Sequence, residues 1–154
     1  MTGKAERDSA SYAQQPLSTG KLLDWLPPIF WAGCIFVLST SLFSAADTAK
    51  IIVPILKWLM PAASESTIVT IHYSIRKLAH VSEYAVLFFL LVRGPMRGRP
   101  VIALAVCAVY ALLDEGHQMF VPSRTASLHD VALDFSGALL ASLLMPAISA
   151  IARA

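Results

Sequence analysis

One stretch constrains this chain more than any other: from Trp25 to Phe43 there is no charged residue. A helix over that stretch would reach about 28 Å, close to the hydrocarbon thickness of a bilayer. Pro27 and Pro28 stand at its start, where a missing N–H costs little. A further fully apolar stretch follows at Val101 to Leu113, and a helical stretch from about Leu128 to Ile151 carries Asp130 and Asp134 near its start. Apolar residues make up 56% of only 154 residues and charged ones 14%, and so small a chain has too little interior to hide that surplus. Lipid is the solvent that fits. The formal charge of +2, with no basic block interleaved with aromatics, gives no footprint for nucleic acid.

Residues 1–20 are polar and read as a disordered cytoplasmic tail, leaving 21–154 as one membrane domain. A cleavable signal peptide is the competing reading of the first apolar run, since Ser44 and Ala46 suit a cleavage site. The long polar leader and the length of the apolar core favour an uncleaved anchor. Ile51 to Met60 is apolar but short and interrupted by Pro54 and Lys57, so it reads as an amphipathic or re-entrant piece at the interface. The second span is expected from about Thr67 to Val92, the third from Val101 to about Met119, and the fourth from Leu128 to Ile151. The fold class is therefore an all-α integral membrane bundle of about four transmembrane helices plus that short segment.

Basic residues set the orientation. Lys4, Arg7 and Lys21 precede the first span, and Arg93, Arg97 and Arg99 separate the second from the third. Two spans lie between these clusters, so both can be cytoplasmic, and Arg153 then ends on the same side. Both termini are expected inside. The check is a cysteine placed at position 97, which should be labelled only from the cytoplasm; labelling from the outer face would reverse the orientation.

Three segments then bring ionisable residues to one depth, at the outer side. On the second helix Lys77, His80 and Tyr84 share a face, with Arg76 and Glu83 beside them. On the third, Tyr110, Asp114 and Gln118 follow one another at i, i+4 and i+8, with Glu115 alongside. On the fourth, Asp130 and Asp134 are i and i+4. Isolated charges near a bilayer core cost roughly 2.5–3.5 kcal/mol each, so clustering implies mutual pairing of Lys77, Arg76 and Arg124 with these carboxylates.

These segments resemble the VanZ-like family. Arg76-Lys77-Leu-Ala-His80-Val-Ser-Glu83-Tyr84 is similar to that family's R-K-x-x-H-x-x-E-Y helix. Asp114-Glu115-Gly-His117-Gln118-Met-Phe-Val121-Pro122-Ser-Arg124 is similar to its D-E-x-H-Q-x-F-V-P-x-R segment, and Asp130-Val131-Ala-Leu-Asp134-Phe-Ser-Gly137-Ala138 to its D-V-x-x-D-x-x-G-A helix. Gly116 and Ser123 depart from the residues often found there, a larger apolar residue and Gly. The family takes its name from an accessory protein that raises resistance to teicoplanin-type lipoglycopeptide antibiotics. The resemblance implies a multi-pass protein of the bacterial inner membrane with a role in the cell envelope.

Each candidate has a plainer reading beside the functional one. Lys77, His80, Tyr84, Asp114, Glu115, Gln118, Arg124, Asp130 and Asp134 form the candidate ligand-binding set, or an ion network that only holds the bundle together. Asp114 and Glu115 point about 100° apart and cannot both face one small ligand. Arg124 can clamp a phosphate or a carboxylate, or cap the third helix. Asp130 can cap the fourth helix, whereas Asp134, one turn on, has no such role. His72 and His129 read as solvated. His80, Glu83, Glu115 and His117 include the ligand types of a zinc or iron site, but without a His-Glu-x-x-His or similar spacing a hydrogen-bonded ion network is the favoured reading, and no metal ion or cofactor is assigned. Two functions stay open: engagement of a membrane lipid or lipid-linked cell-wall precursor head group without chemistry, or an intramembrane enzyme using His80 with Glu115 or Asp134 as acid and base. The oligomeric state is not legible.

Overall fold

The computed structural model describes residues 22–121 and 127–151, the last six by backbone alone. Among them the chain is all-helical and without a strand. Helix α1 spans Leu26–Leu38, α2 Ala45–Leu59, α3 Glu65–Arg93, α4 Pro100–Gln118 and α5 Leu128–Ile151, with a 3₁₀ turn at Ser41–Phe43 between the first two.

Local chemistry explains most of the boundaries. Pro27–Pro28 open α1 and Pro100 opens α4, each at a position where the lost N–H would have had no helical partner. Ser44 caps α2 by accepting the Asp47 amide at 3.2 Å, and Ser64 caps α3 by accepting the Thr67 amide at 3.2 Å. At the start of α5 the Ser127 hydroxyl accepts the His129 amide at 3.1 Å. The capping role that the sequence offered to Asp130 thus falls to Ser127, and Asp130 is released for Lys77.

The first apolar run is shorter as a helix than expected. It ends at Leu38, and α1 and the segment after it are bent by 69° at a break spanning Ser39–Thr40. The amphipathic segment begins at Ala45, ahead of Ile51, and forms a full helix with Pro54 inside it. Its Thr48, Ile52 and Leu56 turn inward, and Ile51, Ile55, Trp58 and Leu59 are exposed.

By length and apolar composition α4 and the 128–145 part of α5 are long enough to cross a membrane, and the bent pair of α1 and α2 makes a third candidate if counted as one span. Helix α3, at 29 residues and about 43 Å, is amply long, but Arg76, Lys77 and Glu83 interrupt it. The count of four spans expected from sequence is therefore met in part, by two or three.

The exterior is apolar and the interior mixed, the arrangement of a membrane protein. Phe30, Val101, Leu113 and Leu143 are exposed, while Asp114, Glu115, Gln118 and Asp134 are buried with Tyr84, Phe88 and Ala111. Between helices in lipid, apolar burial drives little association, so close packing and polar bonds carry more of the load. The most extensive contact is α3 against α5. At its centre Gly137 lies against the Val81 main chain, so close that a Cβ would run into the Val81 carbonyl oxygen.

Candidate functional site

The α3–α5 contact sets a ladder. Lys77 of α3 pairs with Asp130 of α5, His80 with Asp134 at 3.3 Å, and Val81 meets Gly137. Residue numbers rise together along both helices, so the two run side by side in the same direction, and α4 must return between them. Gly137 is the spacer: with no side chain there, the helices approach closely enough for His80, next to Val81, to reach Asp134, one turn before Gly137. Glu83 adds to the environment of His80, its carboxylate 3.7 Å from Nδ1.

Helix α4 supplies the second half. Asp114 accepts the Ser39 hydroxyl at 2.7 Å and the Gln118 amide at 3.2 Å, both on Oδ2. Ser39 is fully buried and closes α1, so this one bond ties the break after α1 to the polar heart of the bundle. Glu115 turns elsewhere, accepting the Ser127 amide at 2.9 Å and so fixing the start of α5. The two adjacent carboxylates serve different neighbours, as the helical angle requires. The Tyr84 hydroxyl is buried within electrostatic range of Asp114, Asp134 and Glu83. Tyr110 leaves that group to donate to the Ala32 carbonyl at 2.6 Å.

Tyr84 Oη and Asp114 Oδ1 have no hydrogen-bond partner among the described residues, and neither carboxylate oxygen of Asp134 makes a hydrogen bond there, His80 Nδ1 meeting Oδ1 as an ionic contact only. Buried polar atoms are costly to leave unpaired, so this cluster has capacity for water or a ligand. Among the described residues no group of three His, Cys, Asp or Glu side chains is placed to hold a metal ion.

Arg76 departs from the expected pattern. Instead of facing the carboxylates of α4 and α5, it reaches toward the turn before α2, donating to the Phe43 carbonyl at 3.1 Å and to Thr48 Oγ1 at 2.9 Å. Thr48 also lies 3.2 Å from His72 Nε2. His72 is consequently buried under α2, a correction to the solvated histidine read from the sequence. Between α2, the end of α1 and α3 these residues frame a cleft of about 160 Å³. Its walls are Leu38, Phe43, Ile52, Ile75 and Ala79; Thr48, Arg76, His80 and Glu83 supply the polar groups.

Of the nine candidate residues, eight are described. Seven of those converge: Lys77 with Asp130, His80 with Asp134, and Tyr84, Asp114 and Gln118 around the same interior. Glu115 flanks them at the α5 start. Arg124 lies outside the described residues. Sequence reasoning gave Ser39 no role beyond a serine-rich end to the first span and passed over Thr48; their short polar side chains acquire meaning only through partners 75 and 28 positions away. It also gave Arg76 and Glu83 only supporting places, although both line the cleft.

A family model described as VanZ/LLP1 matches residues 25–149, and the chain belongs to that family. No curated protein and no solved structure matches it.

Proposed function

We propose that this VanZ/LLP1 membrane protein binds the head group of an anionic lipid or lipid-linked cell-wall precursor at the outer face of the bacterial inner membrane, without chemistry, and so alters how the envelope responds to lipoglycopeptide antibiotics. In this reading the chain is multi-pass with both termini cytoplasmic, and α3 crosses the bilayer alongside α5, its charges sheltered by pairing inside the bundle. The observation that carries it is the cleft under α2. A guanidinium fixed by two hydrogen bonds stands with Thr48, His80 and Glu83 beside the apolar walls of Leu38, Phe43, Ile52, Ile75 and Ala79, the mixture an amphipathic ligand demands.

One observation favours a second reading, an intramembrane enzyme acting on a lipid-linked substrate. His80 stands 3.3 Å from the buried Asp134 carboxylate, a pairing that would orient an imidazole for proton transfer, with Glu115 as the further acid or base.

The test compares full-length wild type, Arg76→Gln and Glu115→Gln in nanodiscs containing phosphatidylglycerol. A charge-assisted hydrogen bond is worth about 1.5–3 kcal/mol, so Arg76→Gln should weaken lipid binding about tenfold or more. Arg124→Ala is expected to act in the same direction, and Glu115→Gln to leave binding unchanged wherever folding survives. Equal loss from Arg76→Gln and Glu115→Gln, or none from either, would count against the binding reading. A new envelope lipid found by mass spectrometry with wild type and absent with Glu115→Gln would establish the enzyme instead.

A further inference from the structure

We propose that the interior of the bundle holds a single sodium ion, bound by Tyr84 of α3, Asp114 of α4 and Asp134 of α5. The site stands apart from the cleft under α2 and does not depend on the head-group reading.

Burial comes first. Tyr84, Asp114 and Asp134 are 0%, 3% and 1% exposed, so bulk water does not satisfy their oxygens. Each helix leaves one oxygen open. Asp114 engages the Ser39 hydroxyl and the Gln118 amide through Oδ2 and keeps Oδ1; Asp134 meets His80 through Oδ1 and keeps Oδ2. Tyr84 keeps its hydroxyl, which lies within electrostatic range of both carboxylates. Two acids by themselves would argue only for repulsion; the tyrosine is the separate sign of an occupant. A buried phenol beside two carboxylates ordinarily donates to one of them, and this one donates to neither. Nor does either open oxygen bond to the other carboxylate. A shared proton therefore does not join the three, and an occupant with the size of an atom does.

The donors then select the occupant. All three are hard oxygens, which suit a hard cation. Calcium takes about six to eight oxygens and magnesium a near-ideal octahedron, more than three open side-chain oxygens supply. A monovalent ion accepts fewer and looser ligands, and the strong field of two carboxylates favours sodium over the larger potassium. Lys77, the cation that the sequence aimed at these acids, is held by Asp130 instead. An ion here would tie α3, α4 and α5 together. Through the Ser39 bond to Asp114 it would also steady the turn after α1.

The experiment is equilibrium dialysis of the full-length protein in detergent against radioactive sodium, at fixed pH and ionic strength, with potassium and choline as competitors. The expected result is saturable binding of one sodium per chain, displaced by potassium about tenfold less well and by choline not at all. Tyr84→Phe removes one oxygen and breaks no hydrogen bond among the described residues, so it should fold as the wild type does. It should bind sodium about tenfold more weakly, the margin of one polar contact to a charge. Tyr110→Phe is the matched control and should keep wild-type affinity, because that hydroxyl is engaged by the Ala32 carbonyl. Asp134→Asn should abolish binding, and if it fails to fold Tyr84→Phe still decides. No saturable sodium binding would leave the cluster to water and overturn the proposal. Equal affinity in wild type and Tyr84→Phe, or an equal loss in Tyr110→Phe, would overturn the assignment of the site. Potassium binding as tightly as sodium would overturn the choice of ion.

Discussion

Replacing Gly137 with alanine should destabilise the bundle by about 1–3 kcal/mol, the range of overpacking in a tight interior, although it adds a single methyl group. The added carbon meets the main chain of Val81, and a backbone carbonyl cannot rotate aside as a side chain would. Helices α3 and α5 must separate, and with them the His80–Asp134 pair, which depends on that approach. Gly116→Ala is the matched control. Nothing lies within 4 Å of a Cβ there, so the same substitution should be neutral or stabilising by up to about 1 kcal/mol through helix propensity. Thermal denaturation in detergent, read by near-ultraviolet circular dichroism, checks both. Equal midpoints for the two variants would mean that the close approach at Gly137 contributes nothing.

The second large effect belongs to Lys77 and Asp130. Their side chains are 23% and 25% exposed, so neither charge is fully solvated and neither is deeply buried. Removing one partner leaves the other half-sheltered without compensation. Lys77→Met or Asp130→Leu alone should cost about 1–3 kcal/mol, less than the 3–5 of a fully buried pair. The double variant should recover most of that loss, because two apolar side chains suit the site. The coupling from a double-mutant cycle is the quantity to measure. Strict additivity would show that the pair is not an energetic unit.

Both predictions rest on features with unequal sequence signals. Helices α4 and α5 were legible because Pro100 and a long apolar run delimit one and Leu128 opens the other. The pairing of Lys77 with an acid was legible from charge cost alone. The end of α1 was not. Ser39, Thr40 and Ser41 carry no charge and do not stop an apolar pattern, so the run read on to Phe43. What ends the helix there is accompanied by a long-range bond, Ser39 to Asp114. Arg76 misled for a related reason. Its charge argued for a carboxylate partner, yet a carbonyl and a hydroxyl near α2 satisfy it, and neither has a charge signature. Burial of His72 has no local signature in the sequence; Thr48, on α2, is what lies against it. The convergence of Tyr84, Asp114 and Asp134 was readable as shared depth, but which oxygens would lie without partners depends on side-chain rotation. No periodicity encodes that.

The break after α1 has a mechanical corollary for the surrounding lipid. Thirteen residues of helix amount to about 20 Å, where a bilayer core asks for about 30. Wherever α1 enters the membrane, the neighbouring leaflet has to pucker inward or the turn at Ser39 has to lie below the head-group plane, at a fraction of a kcal/mol for each ångström of mismatch. On the head-group reading proposed above, that shortfall would draw phosphates down toward the mouth of the cleft, and recruitment would begin with the deformed solvent before any side chain makes contact.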